Sequence, residues 1–269
     1  MYKLIAVDMD GTLLREDKTI SEETIKAINR AKAKGIKVVL ATGRPLEGIE
    51  KYLEELNLIR KEDYALTYNG AIVQNTLTKK VISNNLIKGS DLKYLYKLSK
   101  ELKINIHAFD KSGCITPVMS KYTELEGTIN KINVNLVDFN TIKEEEDIIK
   151  VMMVEEPEKL EEAIAKLPKE LYDEYTIVRS APYFLEFLNK QGNKGEGVRM
   201  IAQYLGIKQE EVICVGDAGN DVHMIKYAGL GVAMGNAFDE VKEIADFITK
   251  TNEEDGVAHV INKFILKAS

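Results

Sequence analysis

The chain has 269 residues, 45% hydrophobic and 30% charged, an ordinary globular composition with apolar surface enough for one large core or two smaller ones. A formal charge of −6 argues against nucleic acid or an anionic membrane as the main partner, although a local basic pocket for a phosphate is compatible with it. No apolar stretch approaches a membrane span, the N-terminal apolar run is too short for a signal peptide, and Cys114 and Cys214 stand far apart, so a cytoplasmic protein without a disulfide framework is expected.

Leu4 to Val7 is an apolar run without polar alternation, as expected of a strand covered on both faces. Ser21 suits an N-cap, Glu22 and Glu23 place negative charge in a first helical turn, and Ile25, Ile28 and Ala31 follow at helical spacing until Gly35 supplies a stop. Ile36 to Leu40 reads as a second buried strand, followed by Thr42-Gly43-Arg44 and a Pro45-initiated helix running to about Leu56. Tyr64 to Tyr68 and Ala71 to Gln74 flank Asn69-Gly70, a short hairpin signal. Strand and helix alternating in this way predict a parallel sheet with right-handed crossovers, hence an α/β fold of the doubly wound, Rossmann-like kind.

The same grammar returns near the C-terminus, with a helix over Lys194 to Leu205, a strand over Val212 to Val215 and a helix over Asp221 to Ala228. Between them the strand candidates are more amphipathic: Ile104 to Phe109, Ile148 to Val154, Tyr175 to Arg179 and Phe184 to Leu188. They interleave with helices such as Pro157 to Lys166. Residues 1–82 and 190–269 are accordingly expected to build the core, and 83–189 an inserted α+β domain. The acidic run Glu144 to Asp147 reads as a solvated turn.

Four segments at or beyond the ends of predicted strands hold the polar residues of interest, where open parallel sheets bind ligands. In Asp8-Met9-Asp10-Gly11-Thr12, residues two apart on an extended chain point the same way, so both carboxylates can face one site and a cation is their natural neutraliser. The glycine spacing excludes an EF-hand loop. Thr42-Gly43-Arg44 offers a hydroxyl and freed backbone amides before a helix, a phosphate cradle or an ordinary turn. Lys194 opens a helix, the wrong end for a cation, so it either answers a nearby negative charge or lies in solvent. Gly216-Asp217-Ala218-Gly219-Asn220-Asp221 adds two carboxylates and an amide on a tight loop. Hard oxygen donors without a cysteine or histidine cluster indicate Mg2+ rather than zinc, and His223 reads as a packing or surface residue.

Together, in this order, these segments resemble the haloacid dehalogenase-like superfamily, whose motifs are an Asp-x-Asp-Gly-Thr strand end, a Ser/Thr, a Lys and a Gly-Asp-x-x-Asn-Asp loop. The stretches Leu66 to Ala71 and Ala228 to Ala237 are similar to its Cof-type, sugar-phosphatase-like branch, in which an inserted cap domain occupies the position of the middle stretch.

The resemblance implies a phosphatase acting on small phosphate esters. Asp8 would be nucleophile and metal ligand, and Asp10 acid and base with its backbone carbonyl on the metal. Asp217 would complete the Mg2+ site, with Asp221 in its outer shell. Thr42, Gly43, the Met9 backbone, Lys194 and Asn220 would hold phosphoryl oxygens. In capped members the insert contacts the leaving group, and His107, Tyr122 and Arg179 are the polar residues there that could do so.

No obligate protein partner is expected. A phosphomutase using the same aspartyl-phosphate is the enzymatic alternative. A phospho-receiver signalling domain is the alternative of another class, against which the second carboxylate and the insert both speak. A carbohydrate-binding module is disfavoured by the absence of Trp.

Overall fold

The structure, a computed structural model, describes residues 1–266. The chain forms two compact units, one made of Met1–Asn84 with the chain from Asn193 onward, the other of Asn85–Gly192.

The larger unit is built on an eight-stranded sheet in the order Phe247–Ile248, Leu230–Ala233, Val212–Gly216, Leu4–Asp8, Lys37–Ala41, Tyr64–Thr67, Ile72–Asn75, Val81–Asn84. Neighbours are parallel as far as Tyr64–Thr67, and the last two strands run antiparallel. Every residue of the central strand Leu4–Asp8 is buried, and its side chains divide between two cores. Ile5 and Val7 join Val38, Leu40, Ile213, Val215 and the helix residues Ala27, Ile28 and Ala31. Leu4 and Ala6 join Val39, Ala41, Val212, Cys214 and, from the helix Lys194–Tyr204, Val198, Ile201 and Ala202.

Burial on both faces explains the unbroken apolar runs, each such Leu, Ile or Val contributing about 1.5–3 kcal/mol. The chain leaves Leu4–Asp8 toward Lys37–Ala41 on one side and returns through Val212–Gly216 on the other. The carboxyl end of the central strand is therefore a topological switch point.

Local details follow sequence chemistry, with corrections. Ser21 caps the helix Glu22–Ala33 by accepting from the Thr24 N–H at 3.0 Å. The helix expected from Pro45 begins later, as a 3-10 turn Glu47–Ile49 leading into Glu50–Glu55. The Asn69-Gly70 hairpin is wider than expected, because Thr67 pairs with Ile72 and leaves four residues in the connection. Two of its amides bond outward, Tyr68 N–H to the Arg44 carbonyl at 3.2 Å and Asn69 N–H to the Thr42 carbonyl at 2.8 Å, while Ala71 N–H closes the turn on the Tyr68 carbonyl at 3.1 Å.

The smaller unit carries a six-stranded sheet in the order Tyr175–Ala181, Phe184–Asn189, Lys150–Val154, Asn105–Asp110, Gly113–Thr116, Val134–Leu136. Helices Gly89–Leu102 and Pro157–Ile164 cover one face through Leu92, Leu95 and Leu160, against Ile106, Val151, Met153 and Phe187. The strand expected over 148–154 is divided, since Asp147–Ile148 pairs with Ile87–Lys88 and only Lys150–Val154 enters the large sheet. Val81–Asn84 belongs to the sheet of the larger unit, which places the first junction after Asn84 rather than after residue 82. Asn193 caps the helix Lys194–Tyr204, which places the second before Asn193 rather than after 189. Both cysteines are free and buried. Among the described residues no helix is long and apolar enough to cross a membrane.

Candidate active site

Asp8 is the last residue of the central strand and Asp217 follows the end of the neighbouring one, so two adjacent strand ends deliver carboxylates to one place. Lys194, fully buried at the first position of its helix, donates to Asp8 Oδ1 at 2.5 Å and to Asp221 Oδ1 at 2.7 Å. A solvent-facing lysine is thereby excluded. The other oxygen of Asp221 accepts from the backbone N–H groups of Asp217 at 2.9 Å and Ala218 at 3.0 Å, folding the loop around its own side chain. Thr12 donates its hydroxyl to Asp217 Oδ1 at 2.7 Å. Gly11, at φ +86°, turns the chain away from the strand and passes so near Asp217 that a Cβ there would sit 2.4 Å from its Oδ2.

Asp8, Asp217 and Asp221 place one oxygen each within 4.8 Å of one another, with one lysine among them. Negative charge is thus under-compensated in a buried place. Burial, then the charges of Asp221 and Asp217, push the Asp8 carboxyl well up despite Lys194. Asp217 is pushed up to about 6, chiefly by burial and against the Thr12 hydrogen bond. Burial alone would lower the Lys194 pKa, but Asp221 and Asp8 outweigh it and raise it. Such a cluster retains protons unless a cation replaces them.

Asp10 does not join it. Its carboxylate is gripped by Arg44, Nε to Oδ2 at 2.8 Å and Nη2 to Oδ1 at 2.6 Å, and by Lys18 Nζ to Oδ1 at 2.9 Å. Burial works to raise its pKa, but Arg44 and then Lys18 prevail and lower it. Alternation along an extended strand fails here because the strand ends at Asp8 and Asp10 pairs back against Leu14. The Met9 side chain is fully buried in the core, leaving only its main chain for any ligand. Thr42 is buried and accepts at Oγ1 from the Arg44 N–H at 3.2 Å. A Cβ on Gly43 would meet the Asn69 side chain at 3.2 Å. Asn220 donates Nδ2 to Asn69 Oδ1 at 3.0 Å.

Several of these partners leave little mark in the local sequence: Arg44 and Asn69 belong to turn segments that speak for their backbone alone, and Lys18 carries no local signal.

In the smaller unit, His107 is wholly buried, with Nδ1 3.2 Å from Thr123 Oγ1 and Nε2 3.2 Å from Met152 Sδ. It is a core residue of that sheet and presents no surface to a substrate, which corrects the expectation for it. Tyr122 stacks on Tyr183 at 4.8 Å and donates its hydroxyl to Glu156 at 2.7 Å. Arg179 is tied to Glu161 at 2.6 Å and to the carbonyls of Ala181 and Pro182. His223 is exposed. In the acidic run, Asp147 accepts from Lys88 at 2.6 Å.

A switch-point aspartate bonded to a buried lysine beside an acidic pair stands where open α/β sheets bind their ligands. The chain belongs to the haloacid dehalogenase-like hydrolases, whose family model matches residues 5–261.

It is 48% identical over 268 residues to "Putative phosphatase YxeH" of Bacillus subtilis, covering 99% of each chain. It is 35% identical to the 5-amino-6-(5-phospho-D-ribitylamino)uracil phosphatase YcsE of the same organism, covering 98% of this chain and 96% of that one. Among solved structures, a haloacid dehalogenase-like hydrolase from Bacteroides thetaiotaomicron superposes with a TM-score of 0.86 at 35% identity, over 98% of this chain and 100% of that one. The HAD subclass IIB sugar phosphatase BT4131 does so at 0.82 and 29%, over 98% and 99%. The chain is a phosphoric monoester hydrolase of this family, and the signalling-domain alternative is set aside.

Proposed function

We propose that the chain is a Mg2+-dependent phosphatase of small phosphate esters, sugar phosphates foremost, working through an aspartyl-phosphate on Asp8. The carrying observation is the constellation of buried Asp8, Lys194 and Asp221 with half-buried Asp217, and its surplus of negative charge. Its donors are all hard oxygens, which fits Mg2+. Asp8, Asp217 and the Asp10 carbonyl would hold the ion, and Asp221, both of whose oxygens are engaged, would act through the outer shell. When bound, Mg2+ supplies positive charge to these carboxylates and to the phosphoryl oxygens.

The Asp8 carboxylate attacks phosphorus as the bond to the ester oxygen breaks; Asp10, having first left its ion pairs with Arg44 and Lys18 and taken up a proton from water, gives that oxygen its proton. Asp10, now a carboxylate, takes a proton from water, which attacks the phosphoryl group, releases phosphate and restores Asp8. Lys194, Thr42, Gly43, the Met9 main chain and Asn220 hold the phosphoryl oxygens through the transfer. The names of relatives, a sugar phosphatase and a phosphoribitylaminouracil phosphatase, support a phosphate carried on a sugar or sugar-alcohol carbon.

Phosphate release from p-nitrophenyl phosphate and a panel of sugar and sugar-alcohol phosphates, with and without Mg2+, tests this. Release that requires Mg2+ and vanishes in Asp8→Asn is expected. Release indifferent to either change would overturn the proposal, and isomerised sugar phosphate without free phosphate would mean a mutase.

A further inference from the structure

The connection between Tyr64–Thr67 and Ile72–Asn75 is unusual: Tyr68, Asn69 and Gly70 have φ of +52°, +56° and +87°, three left-handed residues in succession. A left-handed conformation is unfavourable for a non-glycine residue, and such strain persists only where the surroundings over-determine it. Those surroundings are the segments of the candidate site. Tyr68 N–H bonds the Arg44 carbonyl and Asn69 N–H the Thr42 carbonyl. The buried Asn69 side chain lies against Gly43. Gly70 runs so close to the next segment that a Cβ would lie 2.3 Å from the Asn193 carbonyl oxygen and 3.0 Å from the Lys194 nitrogen. Finally, Asn69 Oδ1 accepts from Asn220 Nδ2 at 3.0 Å. One strained loop therefore touches the Thr42, Lys194 and Asn220 segments together.

We infer that Asn69 is a positioning residue that sets the carboxamide of Asn220, an inference resting on the proposed role of Asn220 at the phosphoryl group. A carboxamide nitrogen has two hydrogens. Giving one to Asn69 fixes the plane of the Asn220 amide, so its second N–H and its oxygen have set directions. Asparagine suits the position because it tolerates the left-handed region and carries a short acceptor.

The test is a double-mutant cycle on kcat/KM for p-nitrophenyl phosphate with Mg2+, using N69G, N220A and the double variant, with melting temperatures alongside. Glycine accepts the left-handed backbone, so N69G is expected to melt near the wild-type temperature. Its kcat/KM is expected to fall about 3- to 10-fold, the worth of one hydrogen bond. The double variant is expected to stay within about 2-fold of N220A alone, because Asn69 acts only through Asn220.

A further variant, N69D, keeps an acceptor and a left-handed preference. The effect of N220A in its background is therefore expected to match that in wild type, and an effect that disappears there would contradict the pairing. Wild-type kcat/KM in N69G, or losses that multiply in the double variant, would overturn the inference while leaving the phosphatase proposal standing. Wild-type rates in N220A would remove Asn220 from the phosphoryl group and the inference with it.

Discussion

Asp8 and Asp10 are two residues apart and live in opposite electrostatic surroundings. Asp8 lies among carboxylates that favour its protonated form, whereas Asp10 is held ionised by Arg44 and Lys18. The ionised form is the one the proposed second step needs as a base, and the proposed first step requires Asp10 to leave Arg44 and Lys18 and take up a proton. Asp10→Asn is expected to slow turnover of alkyl phosphates by about 10²–10⁴-fold, the usual worth of a positioned acid-base group. The loss should be smaller for p-nitrophenyl phosphate, whose leaving group needs little protonation. Steady-state rates on the two esters would check this, and equal losses would argue against Asp10 as the acid.

At this scale the motif residues were legible, because Lys194 at a helix N-terminus is an electrostatic oddity that needs a partner. Arg44 on Asp10 was not, since a bend after Asp8 decides which way the second carboxylate points.

Among the elements, the strands Leu4–Asp8, Lys37–Ala41 and Val212–Gly216 were readable to within a residue or two because burial on both faces leaves no polar alternation to confuse the period, whereas the strands Val81–Asn84, Leu230–Ala233 and Phe247–Ile248 were not read at all. The hairpin at Asn69-Gly70 was readable as a turn but not as a four-residue connection. Its geometry is set by carbonyls of the Thr42 segment, which local sequence cannot show. In the smaller unit the strands Asn105–Asp110, Tyr175–Ala181 and Phe184–Asn189 were met equally closely, Gly113–Thr116 and Val134–Leu136 were not read, and a two-residue strand such as Asp147–Ile148 carries too little pattern to separate from its neighbour.

The turn after the central strand gives a prediction at this scale. Gly11→Ala places a Cβ in the left-handed region and against the Asp217 carboxylate, so it should weaken Mg2+ activation strongly while the unfolding transition shifts only modestly. A Mg2+ titration of activity, paired with a melting curve, would check it. An unchanged activation constant would show that Asp217 does not need this approach.

For the molecule as a whole, division of the chain into a core in two segments and an inserted unit was visible as a change in strand character, and the exact junctions followed pairing and capping. Burial of His107 couples the fold to pH. Burial, then the charge of Lys150, lowers its pKa to about 3. The unfolded chain therefore takes up a proton as pH falls below the ordinary histidine value, and the folded chain does not until near the lowered one. Stability from this group is present at neutral pH and declines by about 2 kcal/mol by pH 5.

Asp8 and Asp217, with raised values, act in the opposite sense in acid, so the informative quantity is a difference. Urea unfolding of wild type and His107→Gln at pH 7.5 and 5 should show a smaller loss on acidification in the variant. Parallel losses would mean that His107 is not held neutral.

In the proposed mechanism the phosphoryl group passes through Asp8. This transfer is tested most directly by rapid acid quench of the enzyme mixed with p-nitrophenyl phosphate and Mg2+, followed by peptide mass mapping. Asp10→Asn should be included to slow hydrolysis of the intermediate. A phosphoryl group on the peptide that contains Asp8, absent when Asp8 is replaced by Asn, is the expected result. Turnover with no phosphorylated peptide in either enzyme, or phosphorylation elsewhere that survives Asp8→Asn, would contradict it.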